Sequence, residues 1–188
     1  MRDELEQCQA DLAVQELDPI RAKADVSRIA AEGPPPFSIA LNDTFPTDSE
    51  RAVIAKWIKI WNGCRKQSNL QHVAPPNAMA AAALAQAFAL SRFFHANVAR
   101  LIQALYYQEL TYGEFALKRY QFTRDAGALY LAIDEAQRAS DQNRLVQTLR
   151  QFLNLRLSWN TYLRRVHVRE PGKAPVRGAI FAFCYGRP

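Results

Sequence analysis

Apolar residues between Asn77 and Ala139 recur every three or four positions in two long stretches. The pattern breaks once, at Leu110-Thr111-Tyr112-Gly113-Glu114-Phe115. Such spacing places the apolar side chains along one side of a helix. In the first stretch the stripe is Leu84, Phe88, Ser91, His95, Val98, Leu101, Ile102 and Leu105. In the second it is Phe115, Phe122, Ala126, Leu129, Ile133 and Ala136. Asn77 suits the N-cap of the first helix, which would span roughly 50 Å. At the break, Thr111 and Glu114 have capping-box spacing: the Thr hydroxyl can accept from the amide three residues on, and the Glu carboxylate can reach back. The corner therefore predicts an antiparallel helical hairpin. The small residues Ala126 and Ala136 would let its helices approach closely.

The flanks carry weaker versions of the same pattern. Leu5, Cys8 and Leu12 share a helical side in residues 3–16. Asp18-Pro19 then predicts a helix start with Asp as cap and Pro at the first position, over residues 20–29. Gly33-Pro34-Pro35-Pro36 ends any helix, and residues 37–45 read as extended or irregular. Thr47 and Glu50 form a second capping box, ahead of a stripe of Val53, Ile54, Trp57, Ile58, Trp61 and Cys64. Residues 67–76 read as a loop. Ser140-Asp141 caps a last helix with Leu145, Leu149, Phe152, Leu155, Trp159 and Leu163 inward, stopped by Glu170-Pro171-Gly172. The remainder is a tail with one apolar run, Ala179 to Tyr185, of strand propensity. No internal repeat or low-complexity stretch interrupts this order.

Composition agrees with a helical domain. The chain has 188 residues, 49% hydrophobic, with only 7 glycines. That is enough to bury a core without metal or many crosslinks. Charge is unevenly spread. Residues 1–50 carry 4 Lys/Arg against 11 Asp/Glu, residues 51–141 carry 11 against 6, and residues 142–188 carry 9 against 1. An acidic start and a basic end can pair within the molecule, or the basic end can meet an acidic partner. No run of 18 apolar residues marks a membrane span, and Met1 to Glu6 is too polar for a secretory signal.

Candidate chemistry is sparse. The glycines form neither GxGxxG nor GxxxxGK, and GxSxG is absent. His72 and His95 have no His, Cys, Asp or Glu at helical spacing, and His167 has only Glu170, where the last helix stops, so no metal pair on a helix is marked. His95 lies on an apolar stripe, as core histidines do. Glu109 and Glu114 flank the corner and Asp134-Glu135 follow late, but Glu114 already has a capping role. Asp125 with Arg124, and Glu135 with Arg138, read as surface pairs. An active site would need Glu109, Glu114, His95 or Asp134 to converge in one cleft. Cys8, Cys64 and Cys184 read as buried thiols in a reducing compartment. In an oxidising one Cys8 and Cys64 could pair, stabilising the fold by about 4 kcal/mol on the chain-entropy estimate.

Two surface patches are candidates for binding. Tyr106, Tyr107, Tyr112, Tyr120 and Tyr130 cluster around the corner and its second helix; they are core aromatics or a protein-binding patch at the tip, with Tyr107 and Tyr112 as its contact residues. Arg164, Arg165, Arg169, Lys173 and Arg177 occur with Trp159, Tyr162 and Phe181. Such a mixture can neutralise phosphates and stack on unpaired bases, although Trp159 also fits a core stripe.

The order of motifs resembles a group of small, exported, largely uncharacterised helical proteins of bacteria. The residues that carry it are Cys8; Leu17-Asp18-Pro19-Ile20-Arg21-Ala22-Lys23-Ala24; the helix from Thr47 to Cys64; and Leu105 to Arg119, which contains the TYGEF corner. In that group a glycine precedes the corner where this chain has Gln108, and the basic stretch after Ser140 has no counterpart. The resemblance implies export and a Cys8–Cys64 crosslink, and it implies no activity.

The expectation is an all-α fold: a bundle of four or five helices built on a long antiparallel hairpin, with an irregular basic C-terminal tail. Residues 1–46 form an N-terminal segment, 47–165 the bundle and 166–188 the tail. The expected function is a non-enzymatic interaction or scaffold protein of the bacterial cell envelope, a subunit of a larger assembly. Its partner would be another protein, and no cofactor or metal is expected. Processing would place it in the periplasm or envelope; otherwise it is cytoplasmic. The alternative is a nucleic-acid-binding protein using the basic helix and tail.

Overall fold

A computed structural model describes residues 7, 8, 10–26, 33–63 and 77–166, and the backbone of 64–67. Its elements in chain order are α1 (Asp18–Ala24), α2 (Phe37–Ala40), α3 (Asp48–Gln67), α4 (Ala78–Tyr106), α5 (Tyr112–Arg138) and α6 (Gln142–Val166). A 3-10 turn, Gln15–Leu17, leads into α1. No strand occurs among the described residues. Among the described residues, four long helices and two short ones, with helical residues at 7, 8 and 10–12 ahead of them, make an all-α bundle, with α4 and α5 as its antiparallel pair. Among the described residues no helix is long and apolar enough to cross a membrane.

The helix starts are set by side chains that accept orphan backbone N–H groups. Asn77 accepts from the amide of Ala80 at 2.8 Å. Thr111 accepts from the amide of Glu114 at 3.2 Å, while the Glu114 carboxylate accepts from the amide of Thr111 at 3.0 Å. Thr47 and Glu50 repeat this reciprocal pair at 3.3 and 2.8 Å. Asp141 caps α6 by accepting from the amide of Arg144.

The core is aromatic at its centre. Phe122 of α5 stacks on Phe94 of α4 with centroids 5.5 Å apart and meets Trp159 of α6 edge-on at 4.6 Å. Trp57 of α3 packs edge-on against Phe115 of α5 at 5.5 Å. Leu12, Leu17 and Ile20 from the N-terminal segment are fully buried in the same cluster, so this segment completes the core. A second cluster joins Ala83 and Leu90 to Leu129, Ile133, Leu145 and Phe152. Burying one such side chain contributes about 1.5–3 kcal/mol.

Several expectations are corrected. Leu17, not Asp18, occupies the N-cap of α1, and Asp18 is spent on an ion pair with Arg21 at 2.8 Å. That helix ends at Ala24, because Asp25 turns left-handed at φ 48°. Residues 37–40 form a helical turn where an extended run was expected; the amides of Ile39 and Ala40 both bond to the carbonyl of Pro36. In the first half of α4 the buried side is Ala80, Ala83 and Leu90, while Leu84 and Phe88 are half-buried. Alanines surround this half, so its sequence specified no single face. Leu149 is exposed, and the polar Thr148 takes an inward position in its place. Arg138 pairs with Asp134 at i,i+4, and Glu135 pairs with Arg144 of α6. The pair of Arg124 with Asp125 forms as expected.

The hairpin tip as candidate functional site

The corner does not stand free. Residues 40–46 run antiparallel beside 108–113. The side chain of Gln108 donates to the carbonyl of Pro46 at 2.7 Å, the amide of Tyr112 to the carbonyl of Thr44 at 3.1 Å, and the amide of Gly113 to the carbonyl of Asn42 at 2.7 Å. These two amides belong to the first turn of α5 and have no partner within the helix. The contact is possible because residue 113 lacks a side chain. A Cβ there would lie 2.4 Å from the carbonyl oxygen of Ala40 and 2.9 Å from that of Asn42. Gln108 adopts φ 58°, the left-handed conformation that turns the chain out of α4.

This clamp leaves four large apolar side chains outside. Phe37 and Leu41 project from α2 and its C-cap, Phe45 from the strand-like run after it, and Tyr107 from the C-cap of α4. Their exposures range from 38% to 78%. Aromatic and aliphatic groups on a backbone-locked corner are suited to protein contact, since the backbone that carries them loses little freedom on binding. The sequence singled out Tyr107 here but not Phe37, Leu41 or Phe45. Their signal was the Pro-rich approach, which holds apolar residues where no helix stripe can take them in.

Tyr112, expected beside Tyr107 as a contact residue, is fully buried. The run 40–46 covers the first turn of α5 and closes over it. Beneath, Glu50 is bonded to Lys23 Nζ at 2.6 Å and to the amide and hydroxyl of Thr47 at 2.8 and 3.0 Å. Burial raises the Glu50 carboxyl, but the bonds from Lys23 and Thr47 outweigh it and hold the group below its ordinary range. Burial first, and then the neighbouring Glu50 carboxylate, push the Tyr112 phenol well above its ordinary value. A fully buried, neutral phenol under a closed lid of backbone is a packing group.

Another polar group missed by sequence reasoning is Arg119. It is buried on α5, donates to the carbonyl of Asp25 at 2.8 Å, and lies 5.6 and 5.8 Å from the rings of Trp57 and Trp61. The guanidinium ties α1, α3 and α5 together.

Three of the four residues an active site would need are held in separate roles. Glu114 caps α5, Asp134 pairs with Arg138, and His95 packs on the rings of Trp61 and Phe94 at 5.3 and 5.7 Å. Glu109 is half-buried in the turn after α4. A shallow groove between α5 and α6 is lined by Asp125, Ala128, Leu129, Gln151 and Leu155, none of them among these four. No group of three or more His, Cys, Asp or Glu that could hold a metal occurs among the described residues.

The basic end is divided. Arg164 and Arg165 are exposed on the last turn of α6. Trp159 lies in the core, and Tyr162 is half-buried under Lys118 Nζ at 4.6 Å. Stacking on bases thus loses its nearest aromatics to core packing. Arg169, Lys173, Arg177, Phe181 and Cys184 lie outside the described residues, as do His72 and His167. Cys8 is buried in the main cluster, and the side chain of Cys64 falls outside the description.

Comparison of the chain with protein-family models, with curated proteins and with solved structures finds no match.

Proposed function

We propose that this chain is a non-enzymatic interaction or scaffold protein of the bacterial cell envelope, holding another protein against the tip of its helical hairpin as a subunit of a larger assembly. One observation carries the reading: Phe37, Leu41, Phe45 and Tyr107 stay exposed around a corner whose backbone is fixed by three hydrogen bonds. Large apolar groups held exposed along the two backbone segments that lock the corner are suited to an interface. The envelope assignment rests on the resemblance of the Cys8, Leu17–Ala24 and TYGEF motifs to exported bacterial proteins. A crosslink between Cys8 and Cys64 belongs to the same reading. It is supported by the position of Cys8 in the cluster that also contains Trp61, one helical turn before Cys64.

The test is recovery of the partner from native cells with the wild-type chain and with Phe37→Ser/Tyr107→Ser as bait. Both substitutions are at exposed positions, so the fold is retained. The reading expects a stoichiometric partner with the first and its loss with the second. Equal recovery by both would exclude the tip as the docking surface. Non-reducing mass spectrometry of the same material should find the Cys8 and Cys64 peptides joined; free thiols on both would remove the oxidising compartment.

A further inference from the structure

The outward side of α6 carries a second apolar stripe that the bundle does not use. Its inward side, Leu145, Thr148, Phe152, Trp159, Leu163 and Val166, is buried. Val146, Leu149, Leu153 and Leu157 follow one another at spacings of three and four, so they form one continuous ridge beside it. They are 45%, 38%, 46% and 66% exposed. Polar side chains would serve a solvated helix better at all four positions.

The charges on α6 itself are of one sign, and the α5 acids beside it, Asp125 and Glu135, lie against Gln151, Leu155 and Arg144 on the side away from the ridge. Neither α4 nor α6 contains a single Asp or Glu, while the two helices hold seven arginines, all exposed: Arg92 and Arg100 on α4, and five on α6. Helical spacing sets Arg156 on one flank of the ridge, Arg150 on the other, and Arg164 in line with its C-terminal end. Among the described residues, α6 forms one ion pair, Arg144 with Glu135 on the far side of the helix.

From this arrangement we infer that α6 is a peripheral membrane-binding face that lays its Val146–Leu157 ridge into the headgroup region of an anionic lipid surface. Two features choose this occupant. An apolar strip edged by arginine, on a helix free of acid, is the pattern of helices that lie in the bilayer interface. A second copy of the chain would bring arginine against arginine across the contact. The guanidinium groups would meet lipid phosphates while the leucines enter the acyl boundary. The site is separate from the hairpin tip, so a protein held at the tip would be held at the membrane.

The experiment is co-sedimentation of the full chain with vesicles of phosphatidylglycerol and phosphatidylcholine, and with phosphatidylcholine alone. Binding is expected to the anionic vesicles and not to the neutral ones. Leu153→Glu/Leu157→Glu should weaken it by about tenfold or more, because two leucines that would enter the acyl boundary are replaced by charges that the surface repels. Both positions are exposed, and an unchanged unfolding midpoint would confirm that the variant is folded. Arg169→Gln/Lys173→Gln/Arg177→Gln should retain most of the binding. The inference is overturned if the full chain ignores anionic vesicles, or if the leucine variant binds as well as wild type. It is equally overturned if only the triple variant loses binding, which would assign it to the basic tail. A dimer that dissociates on Leu153→Glu/Leu157→Glu would make the ridge an interface between copies instead.

Discussion

The amide of Gly113 is bonded to the carbonyl of Asn42 at 2.7 Å across the hairpin tip, and this pair fixes residues 40–46 to the first turn of α5. A Cβ at 113 would meet two backbone oxygens, the nearer at 2.4 Å, and backbone cannot swing away as a side chain can. Gly113→Ala is expected to destabilise by roughly 1–3 kcal/mol through forced separation of the two segments. Gly127→Ala is the control, since a Cβ there meets nothing within 4 Å on the same helix. It should stabilise by about 0.5–1 kcal/mol through helix propensity. Urea unfolding of the two variants tests both signs.

Gln108 holds a left-handed backbone with a side chain that Gly would not carry. Its φ of 58° has a steric cost, and its Nε2 bond to the carbonyl of Pro46 offsets it. Gln108→Ala should lose about 0.5–1.5 kcal/mol, because the bond goes and the strain stays. Gln108→Gly loses the same bond and relieves the strain, so its unfolding midpoint should lie close to wild type.

The pair of Glu50 and Lys23 predicts acid sensitivity. The Glu50 carboxyl is held below its ordinary value of 4.5 in the fold. A depressed folded value adds stability that is complete above the unfolded value and is lost as pH falls through the folded one. Wild-type stability should therefore drop on acidification below about pH 4.5. Glu50→Gln cannot titrate and should show a shallower drop over the same window. Identical slopes in the two proteins would dissociate acid unfolding from this carboxylate.

Arg119 predicts a large effect from a residue far from any surface function. Arg119→Ala removes the bond to Asp25 and the contact with Trp57 and Trp61, and should cost about 2–4 kcal/mol. Arg119→Lys should recover little of this, because an ammonium lacks the planar, forked guanidinium that reaches the Asp25 carbonyl while lying near both indoles. The fluorescence of Trp57 and Trp61 should shift in both variants.

How much was readable depended on whether a residue's environment came from its own helix. Phe115, Phe122, Ala126, Leu129, Ile133 and Ala136 were all legible, because a single periodic stripe and one capping box determine that face. Tyr112 was not. It sits among tyrosines that look alike in sequence, and what buries it is a segment seventy residues earlier. The same holds for Arg119, whose partners come from α1 and α3. In α4 the alanine-rich first half offered apolar groups on every side, so only packing against α5 and α6 could choose Ala83 and Leu90. At the tip, Tyr107 could be picked out as an aromatic near a corner, but its companions Phe37, Leu41 and Phe45 are brought there by the backbone clamp. Local pattern named the hairpin; tertiary contacts made the patch.

The hairpin tip is proposed as the place where this protein meets its partner. A photo-crosslinking amino acid placed at Tyr107 and, separately, at the exposed Gln121 of α5 would test it in native cells. One discrete protein adduct is expected from position 107 and none from position 121. Adducts of equal yield from both positions, or none from position 107, would contradict it.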